Sequence, residues 1–103
     1  MTTDRLEILK SMLQARPEDK LARYGLAMEY KNLGQFGPAV EEFRTLLTAH
    51  PDYAAAYFHG GQTLEKAGRI DEAREMYEQG IAVTARTGDG HTRSELQAAL
   101  DIL

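Results

Sequence analysis

The stretch NLGQFGPAVEEF, Asn32 to Phe43, decides the fold, because the chain writes it a second time as KAGRIDEAREMY, Lys66 to Tyr77. Laid over each other, the two copies put Gly34 on Gly68, Phe36 on Ile70, Ala39 on Ala73, Glu41 on Glu75 and Phe43 on Tyr77. The offset is always 34 residues (68 − 34). A constant period of this size marks a repeat architecture, in which a supersecondary unit that cannot bury its apolar face alone is stacked on copies of itself.

The punctuation around the two copies shows what each unit contains. Pro17, Gly34 with Gly37-Pro38, Pro51, Gly68 and the run Thr87-Gly88-Asp89-Gly90 break the chain into segments of helical length. Within them apolar residues recur every three or four positions, as in Leu6, Leu9 and Leu13, in Val40, Phe43 and Leu47, and in Ile70, Ala73, Tyr77 and Ile81. No alternating run of β-branched residues competes, so the reading is all-α, with helices expected over 4–15, 19–33, 37–49, 53–67, 71–86 and 92–102. Asp71 is expected to cap its helix, and Thr92-Arg93-Ser94-Glu95 reads as a capping box. Pro38 is tolerated because it falls in a first turn, where its missing N–H has no partner to lose.

Composition narrows the function classes. A chain of 103 residues, 43% hydrophobic, has enough apolar material for one domain. It has no cysteine, which removes disulfides, thiolate nucleophiles and cysteine metal sites. A formal net charge of −4, with both signs interspersed, argues against a nucleic-acid binder, whose affinity would rest on clustered Lys and Arg. Acids interrupt the opening ten residues, so neither a secretory signal nor a membrane span is expected there, and the cytoplasm is the expected location.

Helix pairs at a 34-residue period, with small residues at the crossings and a Pro at the end of the repeat, resemble the tetratricopeptide repeat (TPR) family. The first repeat, 20–53, matches at Leu26, Ala27, Tyr30, Gly34, Ala39, Phe43 and Pro51; the second, 54–87, at Tyr57, Gly61, Gly68, Ala73 and Tyr77. The register also extends backwards, with Leu9 34 before Phe43 and Pro17 34 before Pro51. The resemblance therefore implies an α-α superhelix, a solenoid of about six helices forming one domain over 1–103. Its parts are a half repeat over 1–17, the two repeats, and a capping helix over 91–103.

Four residues depart from the pattern. Arg23 stands where a large apolar residue is usual, Gly60 where Leu is, Leu46 where Ala is, and Ala85 where Pro is. Gly60 and Gly61 both fall inside an expected helix, at about 1 kcal/mol each relative to Ala. Close helix approach accounts for Gly61, Ala73 and Gly80; a pocket floor is the sharper reading of Gly60.

Motifs for catalysis and metal binding are missing. His50, His59 and His91 fall at unrelated repeat positions and lack the spacing that puts two imidazoles on one helical face. The sequence has no phosphate loop, nucleophile elbow or dinucleotide turn. Aligned as a calcium loop, Gly88-Asp89-Gly90 would put Leu96 where a bidentate Glu is needed, so it is a turn. No enzyme activity, cofactor or metal is expected.

The resemblance implies that the first helices of successive repeats line a concave groove for a protein or peptide partner. Carried over by register, the groove comprises Leu21, Tyr24, Met28, Lys31, Phe58, Gln62, Glu65 and, on the cap, Leu96. Leu21, Tyr24 and Met28 also form a second apolar stripe beside the Leu26, Ala27, Tyr30 and Leu33 stripe, and one stripe is enough for a core. An apolar anchor on the partner is expected. The residues with which relatives hold acidic chaperone C-termini are matched here only by Arg93, so that specificity is not expected. The alternative is a homodimerising scaffold: the unpaired first helix carries Ile8 and Met12, an i, i+4 pair away from its Leu stripe.

Overall fold

The computed structural model describes residues 4–103; residues 1–3 of the expected half repeat lie outside it. The described residues form six helices and no strand: α1 Arg5–Ala15, α2 Lys20–Asn32, α3 Phe36–Ala49, α4 Ala54–Lys66, α5 Ile70–Thr87 and α6 Gly90–Asp101. All twelve ends fall within two residues of expectation. The caps are where sequence reading slipped. Helix α5 begins at Ile70 with Arg69 as N-cap, so Asp71 lies inside the first turn and caps nothing. Likewise α6 begins at Gly90, and the Asp89 carboxylate accepts from the Thr92 N–H at 3.1 Å, which replaces the capping box expected at Thr92. Asp4 and Asp19 cap α1 and α2 in the same manner.

The repeat's turn is one structure built twice. Gly34 and Gly68 sit at φ of 76° and 77°, in the left-handed region that glycine enters without a Cβ penalty. Around each, the backbone closes with the same two bonds: Gly34 N to Lys31 O and Gln35 N to Tyr30 O, then Gly68 N to Glu65 O and Arg69 N to Leu64 O. These bonds occupy carbonyls that the helix end leaves without partners. The chain therefore reverses through the same bonded turn after α2 and after α4.

Small residues set the distance between helices. Ala27, Ala39, Ala56 and Ala73 are fully buried at the crossings, with Phe43, Leu46, Leu64 and Tyr77 filling the space between. Gly61 and Gly80 bring the backbones closer still. A Cβ on Gly61 would stand 2.1 Å from the Tyr77 ring, and one on Gly80 would stand 2.6 Å from Tyr57 Cβ. Gly60 is not a pocket floor: it is buried under the Met76 side chain. Arg23, the departure from pattern, has its own function. Its guanidinium donates to the Pro17 carbonyl at 3.0 Å and to Glu42 at 2.6 Å, while Tyr57, 34 residues on, donates its hydroxyl to the Pro51 carbonyl at 2.6 Å.

Each helix packs on its neighbour in sequence. In addition the backbones of α2 and α4, and of α4 and α6, come together, whereas those of α1, α3 and α5 stay apart, α3 reaching α5 through side chains such as the Arg44–Glu72 ion pair. The even helices therefore form the inner side of a curved stack measuring 43 × 28 × 19 Å. No described helix is long and apolar enough to cross a membrane.

Candidate functional site

The inner side presents α2, α4 and α6, and it brings most of the expected groove residues together. Tyr24 of α2 stands in an aromatic cluster: its ring centroid lies 5.2 Å from Tyr53, 6.3 Å from Phe43 and 6.0 Å from His59. Phe58 meets the other side of that region, with its ring edge-on to His59 at 5.4 Å. Tyr24 and Phe58 are thus bridged by the His59 imidazole. Met28 packs against the same apolar cluster as Tyr24.

Below the aromatics lies a polar link between α2 and α4. Lys31 Nζ donates to Gln62 Oε1 at 2.9 Å and to His59 Nδ1 at 3.1 Å. Because the ammonium is a donor, Nδ1 is the acceptor and the imidazole proton sits on Nε2. Burial, with Lys31 beside it, holds the His59 imidazole below its ordinary value against a weaker pull from Glu95, so the ring is neutral at pH 7. Burial and the neighbouring Lys66 also lower Lys31 from its ordinary value.

Between α4 and α6 the face opens into a recess of about 580 Å³ lined by Phe58, Gln62, Lys66, Ala98, Ala99 and Ile102, with Tyr77 and Glu65 on its α4–α5 wall. The Tyr77 hydroxyl donates to the Glu65 carboxylate. Burial and that bond raise the phenol well above its ordinary value, so it remains a donor at any physiological pH. Ile102 is 87% exposed at the rim.

One expected groove residue lies elsewhere, and another stands apart from the apolar clusters. Leu96 is fully buried, its Cδ1 filling the space opposite Gly80, and so it belongs to the core. Leu21 is 70% exposed and joins no apolar cluster. Conversely, His59, Lys66, Ala98, Ala99 and Ile102 were not foreseen. The i, i+4 line Phe58, Gln62, Lys66 could have flagged the lysine; alanines carry no such signal.

Ile8 and Met12 are each about half exposed on α1. In the repeat register they correspond to Glu42 and Leu46 of α3 and to Met76 and Gly80 of α5, which a preceding helix covers in both complete repeats. Arg5, at the register position of Ala39 and Ala73, pairs instead with Glu29 at 3.3 Å. Among the described residues no three His, Asp or Glu side chains gather as a metal set.

A family model described as tetratricopeptide repeat matches residues 33–100. The TPR repeat-containing protein PA0015 of Pseudomonas aeruginosa is 30% identical over 95 residues, covering 92% of this chain and 90% of that protein. Among solved structures, protein BPP2914 from Bordetella parapertussis aligns with a TM-score of 0.84 at 31% identity, over 97% of this chain and 87% of that one. A tetratricopeptide repeat domain protein from Salinibacter ruber aligns with a TM-score of 0.76 at 38% identity, over 82% and 85%. With its repeated turn, its small-residue crossings and these likenesses, the chain belongs to the tetratricopeptide repeat family.

Proposed function

We propose that the chain is a non-enzymatic interaction module of the cytoplasm, which takes a segment of a protein partner on its concave side through one apolar anchor. It acts as one domain: α1 is the half repeat, α2 to α5 form the two repeats, and α6 is the cap. Proteins of this family generally mediate protein–protein interaction. The observation that carries the reading for this chain is the recess between α4 and α6, where Phe58, Ala98, Ala99 and Ile102 offer apolar surface beside the polar Gln62 and Lys66. Apolar walls with a few polar groups at the edge suit an inserted side chain.

The homodimer reading has less support. Ile8 and Met12 are only two side chains, each half exposed, whereas a stable interface buries about 800 Å² per partner.

The test is a titration with a peptide selected on this chain from a random display library. Ala98 is exposed on a helix, so Ala98→Arg fills the recess without disturbing the core. Binding is expected to fall about 30-fold, the loss of an anchor worth about 2 kcal/mol, with an unchanged melt. Selected peptides that all bind the filled recess as before would sink the proposal.

A further inference from the structure

We infer that the partner segment presents an Asp or Glu side chain to Lys31 and Lys66, close to the apolar residue that enters the recess beside Phe58. This rests on the groove reading and adds the partner's chemistry to it.

The argument begins with which charges are compensated. Four cations join helices or their connections across the stack, and each has a carboxylate: Arg5 with Glu29, Arg23 with Glu42, Arg44 with Glu72, and Arg86 with Asp52. Lys31 also joins two helices, yet both of its partners, His59 and Gln62, are neutral, and no described carboxylate lies within 4.0 Å of it. An ammonium has three donors, and one remains free. Lys66, on the recess wall, is likewise without a carboxylate. Burial first, and then the like charge of Lys66, disfavour the Lys31 ammonium. An anion placed beside the two lysines relieves the like-charge repulsion and gains charge-assisted hydrogen bonds.

The resident acids do not fill this role and set a direction. Glu65 accepts from the Tyr77 hydroxyl and, still charged, lines the recess itself, while forming no ion pair with Lys31 or Lys66. Glu95, on α6, also lines the recess and exerts a weak pull on His59 of the α2–α4 link, but pairs with neither lysine. A bound acid is repelled by Glu65 and Glu95 inside the recess and attracted by Lys31 beside it, so the apolar anchor takes the recess and the carboxylate lies toward Lys31. The chain's net charge of −4 and the small number of cations here fit one carboxylate better than a polyanion.

The experiment is a double-mutant cycle with peptides from the same library selection, each made with a free and an amidated C-terminus. Selected peptides are expected to carry an internal acid at a fixed distance from the anchor. Replacing that acid by its amide, or changing Lys31→Gln, each weakens binding about tenfold, and the two together cost no more than either alone. Should Lys31→Gln fail to fold, Lys66→Gln at an exposed position shows the same coupling with a smaller loss. Peptides that respond to Ala98→Arg but show no acidic preference, or additive losses in the cycle, overturn the inference and leave the groove reading intact. Loss confined to C-terminal amidation overturns it in favour of a chain terminus. A selection with no Ala98→Arg-sensitive peptide overturns both.

Discussion

Two adjacent glycines should respond in opposite directions to the same change. Gly60 and Gly61 both lie inside α4 and are both buried, so replacement by Ala brings each the same helix-propensity gain of about 1 kcal/mol. What differs is the surroundings of the new methyl group. At Gly60 it would meet Met76 Cε at 3.4 Å and Sδ at 3.5 Å, which is ordinary contact with a flexible side chain. At Gly61 it would stand 2.1 Å from Tyr77 Cε1 and 2.6 Å from two further ring atoms. Carbon atoms rest about 3.5–4 Å apart, so the ring must move by more than an ångström. Tyr77 is fully buried and its hydroxyl is tied to Glu65, so the ring can shift only by straining that bond and pushing into the recess wall. Overpacking of this severity costs about 3 kcal/mol, at the upper end of its usual range.

Gly60→Ala is therefore expected to stabilise by up to about 1 kcal/mol, and Gly61→Ala to destabilise by about 2 kcal/mol. For a chain of this length the melting temperatures should move by about 5 °C upward and 10 °C downward. Thermal and urea melts on the two variants and the parent measure both. Shifts of the same sign would refute the crossing geometry, since the sign rests entirely on Tyr77 passing over Gly61. A displaced Tyr77 also deforms the recess wall, so peptide binding should weaken in Gly61→Ala and persist in Gly60→Ala.

Replacing Ile8 and Met12 together by Glu is expected to leave helicity and the mass from light scattering unchanged; a dimer that became a monomer would restore the self-association reading. Titration of His59 should be visible in stability. Its folded-state value lies below the ordinary 6.5, so the unfolded chain binds the proton first, and stability present above about pH 6.5 is lost as the pH falls toward the folded value. His59→Gln is expected to flatten that acid-side loss in urea melts at pH 7 and pH 5, and an unchanged pH dependence would show that His59 does not titrate as described.

The fold was legible because its determinants repeat. Gly34 and Gly68, Ala39 and Ala73, and Phe43 and Tyr77 each perform one mechanical task twice, and a shared register reveals them even though no single residue is diagnostic. Caps were less legible, because Asp89 looked like a turn residue and Thr92 like a cap until the first turn of α6 was located. Most of the groove lay beyond sequence reading. Its polar link joins Lys31 to residues 28 and 31 positions away, a contact that no helical period encodes. Leu96 was assigned to the groove by register, but the missing side chain at Gly80 leaves a space into which it sinks.

The same register compares the helix crossings with the proposed recognition surface. Several positions that hold helices together keep their character from one repeat to the next: Ala27 becomes Gly61, Gly34 becomes Gly68, and Ala39 becomes Ala73, although Leu26 becomes Gly60 and Leu46 becomes Gly80. On the inner side Tyr24 and Phe58 stay aromatic, but other positions change. Gly25 becomes His59, Met28 becomes Gln62, and Lys31 becomes Glu65, so the charge reverses at one structural position. A groove of identical repeats would accept a segment in either direction, since its two halves would look alike. Here one half presents Lys31 without a carboxylate, and the other presents an apolar wall with Glu65 already bonded to Tyr77. A segment that satisfies both halves in one direction would, when reversed, set its acid beside Glu95 and leave Lys31 uncompensated.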